Sequence, residues 1–170
     1  MIINLKIVRI DSDYCDYLRK YDSRVIYNKN EKELRPFIGI LFYINELEYF
    51  APLSSPKPKH RIMKNTIDFL KIKDGILGAV NFNNMIPVNK DNYFLIDLDS
   101  KKIAEKEIKY QKLLIEQLAW LNTHYNQVKS KSLKLYQLYN NGKLSQNIKS
   151  RCCNFKLLET KALQFKKFDY

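Results

Sequence analysis

The stretch Phe37-Ile-Gly-Ile-Leu-Phe-Tyr-Ile-Asn-Glu-Leu-Glu-Tyr-Phe-Ala-Pro-Leu-Ser-Ser-Pro-Lys-Pro-Lys-His60 decides how this chain is read. Phe37–Ile44 and Leu47–Leu53 are apolar runs of strand length, and Asn45-Glu46 is a two-residue link of the kind that closes a hairpin. The second run leads straight into Ser54-Ser55-Pro56-Lys57-Pro58-Lys59-His60, a loop with two hydroxyls, two lysines and a histidine. Pro56 and Pro58 stiffen that loop and lower the entropy cost of holding its polar groups in place. Cleavage of RNA without a metal needs a group that orients or deprotonates the 2′-OH, cations for the phosphorane, and an acid for the leaving oxygen. A strand end rich in Ser, Lys and His supplies much of that set. Taken by itself, such a loop is more often a solvated connection whose serines satisfy nearby backbone.

Working outward, residues 2–10 alternate as a strand, with Ile3, Leu5 and Ile7 on one face. Asp11-Ser12-Asp13 caps a short helix through Tyr21. Residues 22–35 read as a polar loop closed by Pro36. Beyond the central hairpin, Thr66–Lys73 and Ile76–Phe82 form a second hairpin about Asp74-Gly75, and Tyr93–Leu98 is a further short strand. Residues 100–125 then turn helical, with Tyr110, Leu114, Leu118, Leu121 and Tyr125 spaced as one stripe. Val128 to Asn141 is a second helix ended by Gly142, and residues 156–166 form a third. No linker, repeat or low-complexity tract interrupts the chain, so residues 1–170 read as one α+β domain: an antiparallel sheet, curled, with helices packed against it.

Thirty Lys and Arg against eighteen Asp and Glu give a formal charge of +12. That excess says nothing of fold, but it favours phosphate-rich partners, because each cation placed on a phosphate releases condensed counterions. No apolar run reaches membrane-spanning length, and the N-terminus lacks the charged start and small-residue cleavage site of a secretory signal. Cys15, Cys152 and Cys153 are odd in number and far in sequence from His60 and His124, which argues against a disulfide framework or a zinc knuckle. Reduced cytoplasmic thiols are expected.

Other residues invite a chemical reading beside a plainer one. Arg35 precedes the hairpin and suits bidentate phosphate contact, or is simply a surface arginine beside a proline. Tyr14, Tyr17, Tyr21 and Tyr27 lie among basic residues and could stack unpaired bases, although most tyrosines pack cores. Asp97 and Asp99 share a strand face as a Mg²⁺ pair would, but Asp99 or Ser100 equally caps the following helix. His124 reads as a helix-end residue. Lys129, Lys131, Lys134, Lys143, Lys149 and Arg151 line an RNA groove or a solvated helix face.

The runs Phe37-Ile-Gly-Ile and Tyr49-Phe-Ala-Pro-Leu-Ser-Ser-Pro-Lys57 are followed in order by Gly78-Ala-Val-Asn-Phe-Asn-Asn-Met-Ile-Pro87, Leu95-Ile-Asp-Leu98, a long helix with Tyr110 and Leu118, and Cys153-Asn-Phe-Lys-Leu-Leu-Glu159. On these motifs the chain resembles the ToxN/AbiQ family of type III toxin–antitoxin ribonucleases. The resemblance implies an α+β fold with a strongly twisted antiparallel sheet and packed helices, related to the Kid/MazF toxins, and a metal-independent endoribonuclease leaving 2′,3′-cyclic phosphate and 5′-hydroxyl ends, with no cofactor. It also implies inhibition by a small pseudoknot RNA that the toxin cuts from a repeat precursor, assembly into closed protein–RNA complexes, and phage defence by abortive infection. Residue by residue, it implies Ser55, Ser54, Lys57, Arg35 and Tyr14 as the catalytic set. Arg35 stands where some members carry lysine, which keeps charge but excludes a lysine base. Lys59 stands where an aromatic occurs, Tyr27 is the nearest but displaced match to a second tyrosine, and His60 matches with its role open. RNA contacts are expected from Tyr27, Lys59, His60, Lys149 and Arg151. A non-catalytic single-stranded-RNA-binding module is the alternative. A DNA-binding regulator is weaker still, since no basic helix-turn-helix pattern stands out.

Overall fold

The strand that organises the molecule is the last part of the quoted stretch, Leu47–Ser54 (β4). All of its residues except Glu48 and Ser54 are apolar, aromatic or proline, and the same residues are buried, as expected of a strand covered on both faces. The computed structural model describes residues 4–27, 35–99, 101 and 104–167. Around β4 lie Lys6–Ile10 (β1), Phe37–Gly39 (β2), Tyr43–Ile44 (β3), Phe69–Lys71 (β5), Ala79–Asn81 (β6), Ile86–Val88 (β7) and Tyr93–Leu95 (β8). The sheet order is β5-β6-β4-β2-β1-β8, with β3 and β7 also paired to β4, and every pairing is antiparallel.

β4 changes partners halfway along both edges. Its first half pairs with β3 and β7, through Tyr43↔Glu48 and Phe50↔Ile86. Its second half pairs with β2 and β6, through Phe37↔Pro52 and Ser54↔Ala79. The Leu53 N–H points to the β2 edge, where it donates to Pro36 O at 2.9 Å. Neighbouring N–H positions point to opposite edges, so the donor missing from Pro52 faces the gap between the end of β6 and the start of β7. A proline is tolerated in this central strand because no ladder bond is due there.

The expected strand over residues 37–44 is therefore two short strands rather than one. Gly39 marks the break: a Cβ there would lie 2.4 Å from the Phe50 ring, so the aromatic occupies the space of a side chain. The expected hairpin over residues 66–82 keeps its turn, with Asp74 at positive φ, but its strands shorten to β5 and β6. β7 was not legible, since Pro87 reads as a breaker; it pairs only with β4, and its outer edge accommodates the proline.

The helices are Ser12–Arg19 (α1), Pro58–Ile62 (α2), Glu105–Thr123 (α3), Tyr125–Asn140 (α4), Gln146–Arg151 (α5) and Phe155–Gln164 (α6). Asp11 caps α1 by accepting from the Asp13 and Tyr14 amides. α3 starts later than expected: Ala104 is its N-cap residue, and Glu107 reaches back to the Ala104 N–H at 3.3 Å. Asp99 does not cap it, and Ser100 lies outside the described residues. On α3 the buried face is Leu114, Gln117 and Leu121, which puts a glutamine inside the expected apolar stripe. α3 packs on β1, and α6 packs on β7 and α1. Among the described residues no helix is long and apolar enough to cross a membrane.

Candidate active site

The chemistry-bearing groups gather where β4 ends. Ser54 is the last residue of that strand, half-buried and in register with Ala79 of β6. The Asn81 Nδ2 donates to Ser54 Oγ at 2.7 Å. From α3, Gln117 Nε2 donates to Leu77 O at 2.6 Å and to Ser54 O at 3.4 Å. Gly78 is required for this approach: its φ is +101°, and a Cβ there would fall 1.9 Å from Ser54 O. Ser55 follows as an exposed residue at the head of the loop.

The expected loop from Pro56 to His60 is instead partly helical. Pro58 opens α2 at a position where its fixed φ fits and its missing N–H costs nothing. His60, three residues into the turn, accepts the Lys57 N–H through Nδ1 at 3.2 Å. That bond requires an unprotonated Nδ1. Burial first, then the charges of Lys59 and Lys57, hold the His60 pKa below its ordinary value.

An open cleft of about 450 Å³ lies against this turn. Ser54, Lys57, Lys59 and His60 line it. Asn81, Asn83, Asp68, Arg151 and Lys64 are among the other lining residues. Asp68 is buried and accepts from Arg151 Nε at 2.6 Å, Arg151 Nη2 at 2.9 Å and Thr66 Oγ1 at 2.8 Å. Burial alone would raise its carboxyl; the bonds from Arg151 and Thr66 outweigh that and hold it below the usual range. The fork in turn raises Arg151 and fixes its guanidinium at the cleft wall. Lys131 of α4 is near enough to feel Asp68, although burial, the larger influence, lowers its pKa. The cleft is thus strongly cationic, and its one carboxylate is already engaged.

Of the residues singled out in the sequence, Ser54, Lys57, Lys59, His60 and Arg151 meet at this cleft. Arg35 comes next to it through the sheet: Pro36 lies opposite Leu53, which sets Arg35 level with Ser54. Its guanidinium is half-buried near Tyr110, and burial lowers its pKa. Tyr14 does not reach the cleft. It is wholly buried, its hydroxyl donates to Pro87 O, and its ring meets Phe165 edge-on at 5.1 Å. Burial, with smaller contributions from Cys15 and Tyr17, pushes its phenol far up, and the side chain packs in the core. Tyr27 is exposed under the Arg19 guanidinium at 4.8 Å, and the Lys149 ammonium sits 5.6 Å from the Tyr139 ring. Neither lines the cleft.

Asp97 accepts the Asp99 N–H at 2.9 Å in a local turn, and among the described residues no group of three or more His, Cys, Asp or Glu is placed to hold a metal. His124 separates α3 from α4 and stacks on Trp120 at 3.8 Å. All three cysteines are buried thiols outside any disulfide, and burial pushes the Cys152 thiol up to about 12.

Sequence reasoning missed Asn81, Asp68 and Gln117 as parts of the site. Each left a signal: a carboxylate between Ile67 and Phe69, an amide ending a short apolar strand, and an amide within an apolar helical stripe.

The chain as a whole is similar to known proteins. A family profile described as toxin ToxN of the type III toxin–antitoxin system matches residues 6–163. The endoribonuclease ToxN of Bacillus thuringiensis subsp. kurstaki is 34% identical over 98% of this chain and 87% of its own. A solved structure described for selective toxin inhibition by a non-coding RNA pseudoknot in type III systems superposes with a TM-score of 0.82 at 34% identity, over 98% of this chain and 100% of the other. That of AbiQ, a lactococcal anti-phage endoribonuclease of the same class, superposes with a TM-score of 0.81 at 28% identity, over 95% and 98%.

Proposed function

The chain belongs to the ToxN family of type III toxin–antitoxin systems, and from that premise we propose that it is a sequence-selective endoribonuclease toxin acting at the cleft beside Ser54. The observation that carries this reading is the meeting of Ser54, Lys57 and Lys59 around an open cleft at a rigid strand end, with exposed Ser55 next to Ser54 in the chain. In the reaction the ribose 2′-oxygen attacks the adjacent phosphorus and loses its proton. The bond to the 5′-oxygen breaks, and that oxygen takes up a proton. The products are a 2′,3′-cyclic phosphate and a 5′-hydroxyl. Ser54 and Ser55 orient the phosphate or the 2′-OH, while Lys57 and Arg35 stabilise the charge that develops on the phosphoryl oxygens. Arg35 serves only as a cation, because a guanidinium does not give up its proton.

Cleavage proceeds without a divalent metal. The supporting feature is chemical: cations already occupy the place where a metal would neutralise charge, and the Asp68 carboxylate is taken by Arg151 and Thr66. A pseudoknot RNA antitoxin, cut from its repeat precursor by the same site, fills the cleft in a closed protein–RNA assembly, consistent with the RNA-inhibited relative. Phage defence in the cytoplasm follows by likeness to the lactococcal relative.

Expression of the chain without antitoxin is expected to arrest growth and fragment cellular RNA. Ser55→Ala should slow cleavage by about 10²-fold, the usual effect of removing one donor at a developing charge. EDTA should leave the rate unchanged, and the fragments should carry 5′-hydroxyl ends that accept phosphate from a kinase without prior phosphatase. Wild-type protein that retards RNA yet leaves it whole would replace this reading with a non-catalytic RNA-binding module.

A further inference from the structure

We infer that Asn81 is the positioning residue that aims the Ser54 hydroxyl into the cleft; the inference rests on the reading of Ser54 as part of the cleavage site. A serine hydroxyl has one proton and two lone pairs, and left alone it rotates to suit its surroundings. Here the Asn81 Nδ2 donates to Ser54 Oγ at 2.7 Å, so one lone pair is occupied from the sheet side. The Ser54 proton is thereby left for an acceptor on the open side, where a phosphoryl oxygen would sit.

Both partners are held rigidly. Ser54 is fixed through its register with Ala79 and through Gln117, which binds the Ser54 and Leu77 carbonyls together. Asn81 lies in the same ladder, in register with Phe69 of β5. The hydrogen bond therefore forms between two strands of one sheet, and its geometry is set before substrate arrives. Asn81 touches no reacting atom in this arrangement and acts only through Ser54.

Asparagine at 81 differs sharply from aspartate of the same shape. A carboxylate only accepts, so in Asn81→Asp the Ser54 proton turns back toward residue 81 and lone pairs face the anionic phosphate. Asn81→Ala frees the hydroxyl to rotate without reversing it.

The test is a double-mutant comparison of single-turnover cleavage of a long transcribed messenger RNA, with thermal melting of each variant as the check on folding. Asn81→Ala should cleave about tenfold more slowly, the rate equivalent of one neutral hydrogen bond, and Asn81→Asp more slowly still. Ser54→Ala combined with Asn81→Ala should be no slower than Ser54→Ala alone. A multiplied loss in the double variant would show that Asn81 acts elsewhere and would overturn the proposal. So would Asn81→Ala at the wild-type rate while Ser54→Ala is slow, and the reading of Ser54 would then stand. Wild-type cleavage by Ser54→Ala would instead sink that reading, and the proposal with it. If Asn81→Ala melts early, Asn81→Ser, which keeps a small hydroxyl at 81, takes its place under the same criteria.

Discussion

His60 was legible in the sequence as a loop histidine without a role, and the role depends on a bond three residues long. Its buried ring accepts the Lys57 N–H, so its neutral form holds the first turn of α2 and the backbone of Lys57. The folded pKa lies below the ordinary 6.5, chiefly through burial. Between 6.5 and that lower value the unfolded chain binds a proton that the folded chain refuses, so stability falls as pH falls through this window. The contribution is intact above 6.5 and lost below. Urea midpoints compared at about pH 7 and about pH 5.5 should therefore drop in the wild type and drop less in His60→Gln, whose amide oxygen accepts but does not titrate. Equal drops in both proteins would remove His60 as the cause. Tyr14 shows the opposite limit of residue-level reading: its place in a basic N-terminal third suggested substrate contact, but burial against Phe165 and the bond to Pro87 O are set by residues far along the chain.

Elements with a strong local signature were readable. β1, α1, α4, α6 and the β3–β4 link fall close to expectation, because alternation, caps and helical spacing are written in neighbouring residues. β7 and α5 were not, being three and six residues long and held by their neighbours rather than by propensity. What fastens α6 to the sheet is a buried carboxylate. Glu159 Oε1 accepts from Tyr49 of β4 at 2.7 Å and from Tyr136 of α4 at 2.6 Å, and its Oε2 accepts from Lys156 at 3.3 Å. Glu159→Ala would leave two buried phenols without an acceptor and should cost about 3 kcal/mol, whereas Glu159→Gln, which keeps an acceptor, should cost about 1 kcal/mol. Denaturant unfolding at constant m-value checks the difference; equal losses would mean that the charge, not the acceptor, matters.

For the whole molecule, the charge of +12 is spread unevenly in effect, since Arg19, Arg24, Arg151, Lys156 and Lys167 are each paired with a carboxylate. Lys57 and Lys59 stand exposed at the cleft. In a Ser55→Ala background, log affinity for single-stranded RNA should fall linearly with log salt, and Lys57→Ala or Lys59→Ala should each reduce the slope by about 0.7. Lys112→Ala, on the exposed side of α3, should leave the slope unchanged; a change there equal to that at Lys57 would move the binding surface away from the cleft. The sequence by itself determined the α+β class, the central hairpin, the basic character and the Ser-Ser-Pro-Lys run, because each is a property of adjacent residues or of their sum. Only the tertiary structure decided that Ser54 meets Asn81 across 27 residues, that Asp68 fixes Arg151 across 83, and that Tyr14 is core. The first contact depends on the point at which β4 exchanges one pair of neighbours for another, and all three join residues distant in the chain, which packing rather than local sequence brings together.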